Sequence, residues 1–326
     1  MRVSRTSWML LLVALVALVA LHAHAADWPL GPVRIIVGGA PASGPDLVAR
    51  MVAERLGPSL GQAVVVENRP GAGGQLAMAA LVHSRADGHT LALATMSQAV
   101  FNSYLFPALA YDPLRDLQPV TTLVTGAMAI AVHPSFPTKT FSELVEHAKA
   151  EPNELVVAMG GNGSPPHLVY LMLEKKGNFK MRAVLYRSGP DALNAVLSGQ
   201  LQILMEGPAL IAPQVAAGKL RALLVTGDRR EPTLPRVPTA AELGMQVRGE
   251  AWMGLVAPVG TPRWIVARVS QETARIFSTS GVEAQAAKLG FRVYTSSPDA
   301  FGQLIRDDHT QWGAAIRELG LKLAPE

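Results

Sequence analysis

The chain alternates short runs of consecutive apolar residues with longer stretches in which apolar residues recur every three or four positions. The short runs predict strands at Val33–Val37, Val64–Glu67, Thr90–Thr95, Ala127–His133, Leu155–Met159, Ala183–Tyr186, Leu201–Met205, Leu220–Thr226, Trp252–Ala257 and Arg292–Thr295. Strands that are apolar on consecutive positions are covered on both faces, which argues for mostly parallel sheets flanked by helices, an α/β architecture. Helical spacing predicts helices near Gly74–Ser84, His167–Lys176, Asp191–Ser198, Ala209–Ala217, Trp264–Ser278, Val282–Lys288 and Pro298–Leu319. Two further helices carry start signals. Ser43-Gly44-Pro45-Asp46 reads as a cap with a proline in the first turn and an acid completing a capping box, followed by Leu47, Met51, Val52 and Leu56, with Gly57 as the stop. Thr140-Phe141-Ser142-Glu143 opens the second.

The first residues do not belong to this pattern. Arg2 and Arg5 precede an apolar run from Trp8 to Leu21, and Ala23-His24-Ala25 supplies a small-residue cleavage site. This is the layout of a secretory signal, residues 1–25, cut after about Ala25, and it places the mature chain in the periplasm. The run is short for a membrane anchor, the competing reading.

Charge and composition narrow the function. Removing residues 1–25 takes away two arginines and no acid, so a net charge of +4 falls to +2. The basic residues that remain are scattered, which argues against a nucleic-acid partner. There is no cysteine, so disulfides, thiolate metal sites and a cysteine nucleophile are excluded. The histidines show no ligand spacing beside a third ligand, so no metal is expected; His133, His147 and His309 read as surface or cap residues. Trp28, Trp252, Trp264 and Trp312 read as core or hinge packing. No cofactor signature survives. Gly39 to Gly44 has P-loop spacing, but Pro45 stands where the lysine belongs, and neither Gly71-Ala72-Gly73 nor Gly161-Asn162-Gly163 continues as a dinucleotide fingerprint.

Two loops of small residues leave a strand and enter a helix. One is Gly38–Asp46, the other Ala158–His167. Unpaired N–H groups and the helix dipole favour an anion at such places, but a tight turn needs small residues for packing as well, and the pattern alone leaves both readings open. Ser164 and His167 could suggest a hydrolase. However, Asn162 and Pro166 occupy the positions where a nucleophile elbow needs glycine, and Ser164 is placed as a helix cap.

Several ordered blocks resemble the Bug-type extracytoplasmic receptors, the substrate-binding proteins of tripartite tricarboxylate transporters. They are Val65-Val66-Glu67-Asn68-Arg69-Pro70-Gly71-Ala72-Gly73-Gly74, Tyr111-Asp112-Pro113-Leu114-Arg115-Asp116, Gly161-Asn162-Gly163-Ser164 with His167, Ala217–Leu223, Val237-Pro238-Thr239 and Trp252–Pro258. The resemblance implies a two-lobed periplasmic binding fold with two strand crossings. One lobe would hold residues 26–126 and 252–326, the other 127–251. It also implies a small organic anion, typically a carboxylate, in the cleft between the lobes. The implied ligand contacts are Pro41, Ala42, Ser43, Gly44 and Asp46 on one loop and Gly161, Asn162, Ser164 and His167 on the other. Thr95, Ser97, Gln98, Tyr186 and Glu206 would stand nearby.

The chain departs from the family pattern in three places. Ala42, Ser43 and Pro45 stand where glycines and a threonine are usual, Arg187 where a lysine is common, and Glu206 where an aspartate is usual. An acid there could meet a ligand amine or be solvated. The expected partners are the membrane permease subunits of such a transporter, and the expected state is a monomer. The alternatives are a ligand-presenting partner of a membrane sensor, or an exported hydrolase. For the receptor, the expected action is closure of the lobes on the ligand.

Overall fold

The computed structural model describes residues 28–323 apart from 246 and 248; the expected export signal and its cleavage site lie outside the described residues. The strands form two sheets, one in each lobe of a two-lobed α/β fold. The first sheet contains β1 (Val33–Val37), β2 (Val64–Asn68), β3 (Thr90–Thr95), β4 (Leu117–Ala127), β10 (Glu250–Pro258) and β11 (Arg292–Val293), in the order β11-β4-β10-β3-β1-β2. The second contains β5 (Ala129–Val132), β6 (Val156–Gly160), β7 (Arg182–Tyr186), β8 (Ile203–Glu206) and β9 (Arg221–Val225), in the order β7-β6-β8-β5-β9.

Both sheets are mixed, where the apolar runs predict mostly parallel ones; strands buried on both faces read alike whichever way they run. β1 pairs in parallel with β2 and β3, and β6 with β7 and β8. The remaining pairs are antiparallel, and they all involve β4, β5 or β10, the strands that adjoin the passages between the sheets. β4 ends in the first sheet at Ala127 and β5 begins in the second at Ala129. The return passage runs from Val225, the end of β9, to Glu250, the start of β10. Thr226 ties the two passages together. Its hydroxyl accepts from Met128 N–H at 2.9 Å and reaches Gly249 O at 2.7 Å. Gly249 must be small here, because a Cβ on it would lie 2.2 Å from the Thr226 Cβ.

β4 is the longest strand, yet the run Leu117–Ala127 carries Pro119, three threonines and Gly126, and so reads as polar and punctuated. Its features are explained in three dimensions. Pro119 pairs with Val256 at a register irregularity, where a missing N–H is tolerated. Thr121 and Thr122 are buried but bond the segment after β11: Thr121 Oγ1 donates to Ser296 O at 2.8 Å, and Thr122 Oγ1 donates to Ser296 Oγ at 3.0 Å. The expected single strand Ala127–His133 is therefore the end of one strand and the start of another, in different sheets.

The helices are α1 (Gly44–Leu60), α2 (Gln75–Val82), α3 (Asn102–Leu105), α4 (Phe141–Ala150), α5 (Pro165–Gly177), α6 (Gly189–Leu197), α7 (Pro208–Ala216), α8 (Arg263–Phe277), α9 (Ser280–Lys288) and α10 (Pro298–Leu319). A π-helical turn, Ser97–Phe101, leads into α3. In α1 the buried stripe is Val48, Met51, Val52, Leu56 and Leu60, while Leu47 faces outward. The helix runs through Gly57 and Pro58 and stops at Gly61, which takes the left-handed conformation with φ 72°. Trp28, Trp252 and Trp312 are buried as expected, but Trp264 is partly exposed and meets Trp28 edge-on. His309 is buried, against the surface reading: its Nε2 lies 2.8 Å from Ala99 O and its Nδ1 3.0 Å from the Tyr104 hydroxyl. One apolar cluster is confined to each lobe, and a third runs across both, from Ile36, Phe101 and Trp312 to Ile130, Leu168 and Tyr170.

Candidate functional site

Parallel strands release their carboxyl ends on one edge of a sheet, and helices begin there; a crevice between two such edges collects helix N-termini. In this protein the crevice is a cleft of about 900 Å³. Gly38, Gly39, Gly44 and Pro45 line it from the first lobe, and Gly161 to Pro166 line it from the second. Thr95, Met96, Ser97, Gln98 and Asn102 form part of one wall, and Tyr186, Arg187, Glu206 and Gly207 part of another. The hinge strand β10 adds Ala251, Trp252 and Met253.

The first loop is held from behind. Asp46 is buried and accepts three hydrogen bonds: from Ala42 N–H at 2.9 Å, from Arg50 Nε at 2.9 Å and from Asn68 Nδ2 at 2.9 Å. Asn68 also donates to Gly39 O at 3.0 Å, so β2 reaches over to fix the turn. Burial opposes the charge on Asp46, but Arg50, Asn68 and Ala42 outweigh it and hold the carboxyl below its ordinary range. The expected capping box does not form. The Ser43 hydroxyl caps nothing; it is buried without a partner against Gly39, where a Cβ would lie 2.5 Å from it. Of the five expected residues on this loop, Gly44 lines the cleft. Pro41, Ala42, Ser43 and Asp46 do not line it, because Asp46 draws Ala42 toward the helix.

The second loop spends most of its amides on itself. Gly161 N–H donates to Tyr186 O at 2.9 Å, Gly163 N–H to His167 Nδ1 at 3.1 Å, and Ser164 N–H to Gly161 O at 3.2 Å. Pro165 and Pro166 occupy the first turn of α5 and have no N–H, and His167 N–H is taken by the Ser164 hydroxyl. Asn162 is left as the loop's donor toward the cleft. His167 is a brace, buried behind the loop and not lining the cleft; burial lowers its pKa, so the ring stays neutral and can accept from Gly163. The Ser164 hydroxyl donates to Gly160 O at 2.6 Å and caps α5. Its partners are backbone groups rather than the His167 ring, so the serine–histidine pair that a hydrolase would need is not formed.

Gln98 is buried and shapes the wall between the loops. Its Oε1 accepts from Thr95 N–H at 2.9 Å, and its amide nitrogen lies flat on Gly38 and Gly74, where a Cβ would come within 2.2 and 2.0 Å. Glu206, at the end of β8, is also buried. Its Oε1 accepts from Gly160 N–H at 2.8 Å, and burial pushes its pKa up to about 7 against the pull of the Gly160 and Gly207 N–H groups. Asn68, Arg50, Met253 and Phe291 were not expected from the sequence. The block containing Asn68 carried the resemblance, but an asparagine in a strand gives no sign of the loop it will hold.

A second cavity, about 600 Å³, lies behind the hinge strands and shares Met96 and Trp252 with the cleft. Neither strand–helix loop reaches it, and the cleft is the candidate site. Among the described residues, His147, Glu151 and Glu154 come together at the end of α4, but none lines the cleft.

Over residues 48–321 the chain matches the family described as the tripartite tricarboxylate transporter family receptor. It is 30% identical over 307 residues to protein BugT of Bordetella pertussis, covering 94% of each chain. Among solved structures it resembles Rpa4515 of R. palustris with adipate, with a TM-score of 0.82 and 26% identity over 91% of this chain and 100% of that one. MatC (Rpa3494) of Rhodopseudomonas palustris with bound malate gives a TM-score of 0.76 and 30% identity over 89% of this chain and 100% of that one.

Proposed function

The chain belongs to the tripartite tricarboxylate transporter receptor family, and we propose that it is a periplasmic solute-binding protein that captures a small organic carboxylate by closing its lobes, then presents it to the membrane subunits of such a transporter. The observation that carries this reading is the cleft itself, where strand–helix turns from both sheets line one space of about 900 Å³. Adipate and malate in the two related structures support a carboxylate ligand. The lobes are proposed as residues 26–126 with 252–326, and 127–251, working as a monomer after removal of residues 1–25.

The anion would be held by a small set of donors. The Gly44 N–H opens α1, the Asn162 N–H and side-chain amide face it from the other lobe, and Thr95 and Ser97 offer hydroxyls. Prolines in the first turns of α1, α5, α6 and α7 remove N–H groups that a helix start would otherwise offer. They leave the helix dipoles in place, so the attraction for negative charge remains while few direct bonds are available. Bridging water would complete the contacts. Closure then lowers the local dielectric and strengthens each bond to the anion. Binding without catalysis accords with this arrangement, since the Ser164 hydroxyl is committed to the backbone.

Thermal-shift and calorimetric titration of the mature protein against mono- and dicarboxylates tests the reading. A saturable rise in midpoint is expected for at least one of them, because a ligand that binds the folded state alone stabilises it. No shift with any carboxylate would sink the proposal.

A further inference from the structure

Among the described residues that line the cleft, only Arg187 and Glu206 carry charge. They differ in setting. Arg187 is exposed at the rim, whereas Glu206 is only 8% exposed, at the end of β8. The Glu206 carboxyl lies against the start of α6: a Cβ on Gly189 would come within 2.9 Å of both its carboxyl carbon and its Oε2. Its two oxygens are unequally used. Oε1 takes the Gly160 N–H at 2.8 Å, while Oε2 has only a long 3.4 Å contact with the Gly207 N–H.

Among the described residues, no cation is paired with this acid. The elements packed around it bring few ionisable groups to the corner. β5, β6 and α7 contain none. His167 on α5 is neutral and receives the Gly163 N–H, Asp191 on α6 accepts from the Ser188 hydroxyl, and Arg187 follows β7 at the rim. The opposite lobe lines the cleft with uncharged residues, among them Thr95, Ser97, Gln98, Met253 and Phe291. A ligand closed into this space therefore meets a buried acid whose one under-used oxygen accepts hydrogen bonds. A second carboxylate placed there would face like charge with little water to screen it, and an ammonium would be neutralised.

We propose that Glu206 sets the ligand class of this cleft, favouring a carboxylate that also bears an ammonium group over a plain dicarboxylate of the same length. This rests on the receptor reading above and narrows it. The preference is tied to the ionisation of Glu206. Burial holds its pKa near 7. Above that pH the carboxylate accepts from an ammonium and repels a second carboxylate. Below it, the protonated acid donates to a second carboxylate and loses its hold on the ammonium.

The test is calorimetric titration of the mature protein with length-matched pairs: succinate against γ-aminobutyrate and α-aminobutyrate, and adipate against ε-aminohexanoate and α-aminohexanoate. At about pH 8.5 at least one amino partner is expected to bind about tenfold more tightly than its dicarboxylate, with the ratio falling about fivefold or more at about pH 6 as Glu206 takes up its proton. Glu206→Gln keeps an acceptor for Gly160 N–H and removes the charge, so it should bring the ratio near one and abolish its pH dependence. The wild-type pH series needs no variant, so a poorly folded E206Q does not spare the proposal. Dicarboxylates binding as tightly as, or more tightly than, their amino partners at the higher pH would overturn the Glu206 assignment and leave the receptor standing. So would a preference that neither pH nor E206Q moves. Failure of every compound in both series to bind would overturn the receptor reading, and the assignment with it.

Discussion

At Asp46 a single buried carboxylate is shared among the Ala42 amide, the Arg50 guanidinium and the Asn68 amide. Asp46→Asn removes the ion pair and reverses one donor–acceptor contact, and the expected cost is about 1–3 kcal/mol at neutral pH, read by urea denaturation. The sign of the pH effect follows from the lowered pKa of this group. A depressed folded-state pKa contributes stability above the ordinary carboxylate value, near about 3.9, and loses it as the pH falls through the folded value. The gap between wild type and D46N should therefore narrow on acidification below about pH 4; a gap that stays constant with pH would show that charge is not what Asp46 contributes. Because Asp46 acts behind the loop, D46N should also weaken ligand binding without touching the ligand.

Four of the strand–turn–helix units that face the cleft share one device. The strand's carboxyl end turns into a helix, α1, α5, α6 or α7, whose first turn contains proline. At α5 the cap is Ser164, whose hydroxyl both receives His167 N–H and donates to Gly160 O. Ser164→Ala should cost about 1–2 kcal/mol, the usual range for a lost cap, with binding weakened but retained. Gly160, the last residue of β6, has less latitude. A Cβ there would lie 2.3 Å from the Gly189 backbone nitrogen, where no side chain can move aside. Gly160→Ala is expected to cost more than S164A, at least about 2 kcal/mol, because it drives β6 away from the start of α6. Denaturant titration of the two variants side by side checks the order.

The lobes touch at a point outside the hinge strands as well. Gly290, in the first lobe, packs on α7 of the second: a Cβ on Gly290 would lie 2.5 Å from Ala209 Cβ and 2.6 Å from its backbone nitrogen. Gly290 has φ 75°, which suits glycine, so the partner is the better probe. Ala209→Trp should prop the lobes apart while leaving each apolar cluster intact. Small-angle scattering is expected to show no compaction of A209W with a ligand that compacts the wild type, and affinity should fall about tenfold or more, since the closed state is the one that binds tightly. Lys175 on α5 and Glu318 on α10 form an ion pair between the lobes, but both are solvent-accessible and such pairs contribute little.

Sequence alone determined the alternation of strands and helices, the export signal as an expectation, the exclusion of thiol and nucleotide chemistry, and the two small-residue loops. These follow from local periodicity and from residue types that fix φ or remove an N–H. The family was legible because several blocks kept their order. What tertiary structure decided is where each side chain's partner comes from. β4 could not be read because its threonines and proline are satisfied by Ser296 and by an irregular register with β10, far away in sequence. Ser43 and Asp46 carry the letters of a capping box, yet Asn68 and Arg50 recruit Asp46 and leave the serine uncommitted. His167 looked like a ligand contact and is a brace, because Gly163 turns its N–H back onto the ring. Glu206 was ambiguous in sequence, and burial beside Gly160 and Gly189 gives it a raised pKa and a place in the cleft. Periodicity is local and survives in one dimension; the pairing of buried polar groups is set by folding together residues tens to hundreds of positions apart.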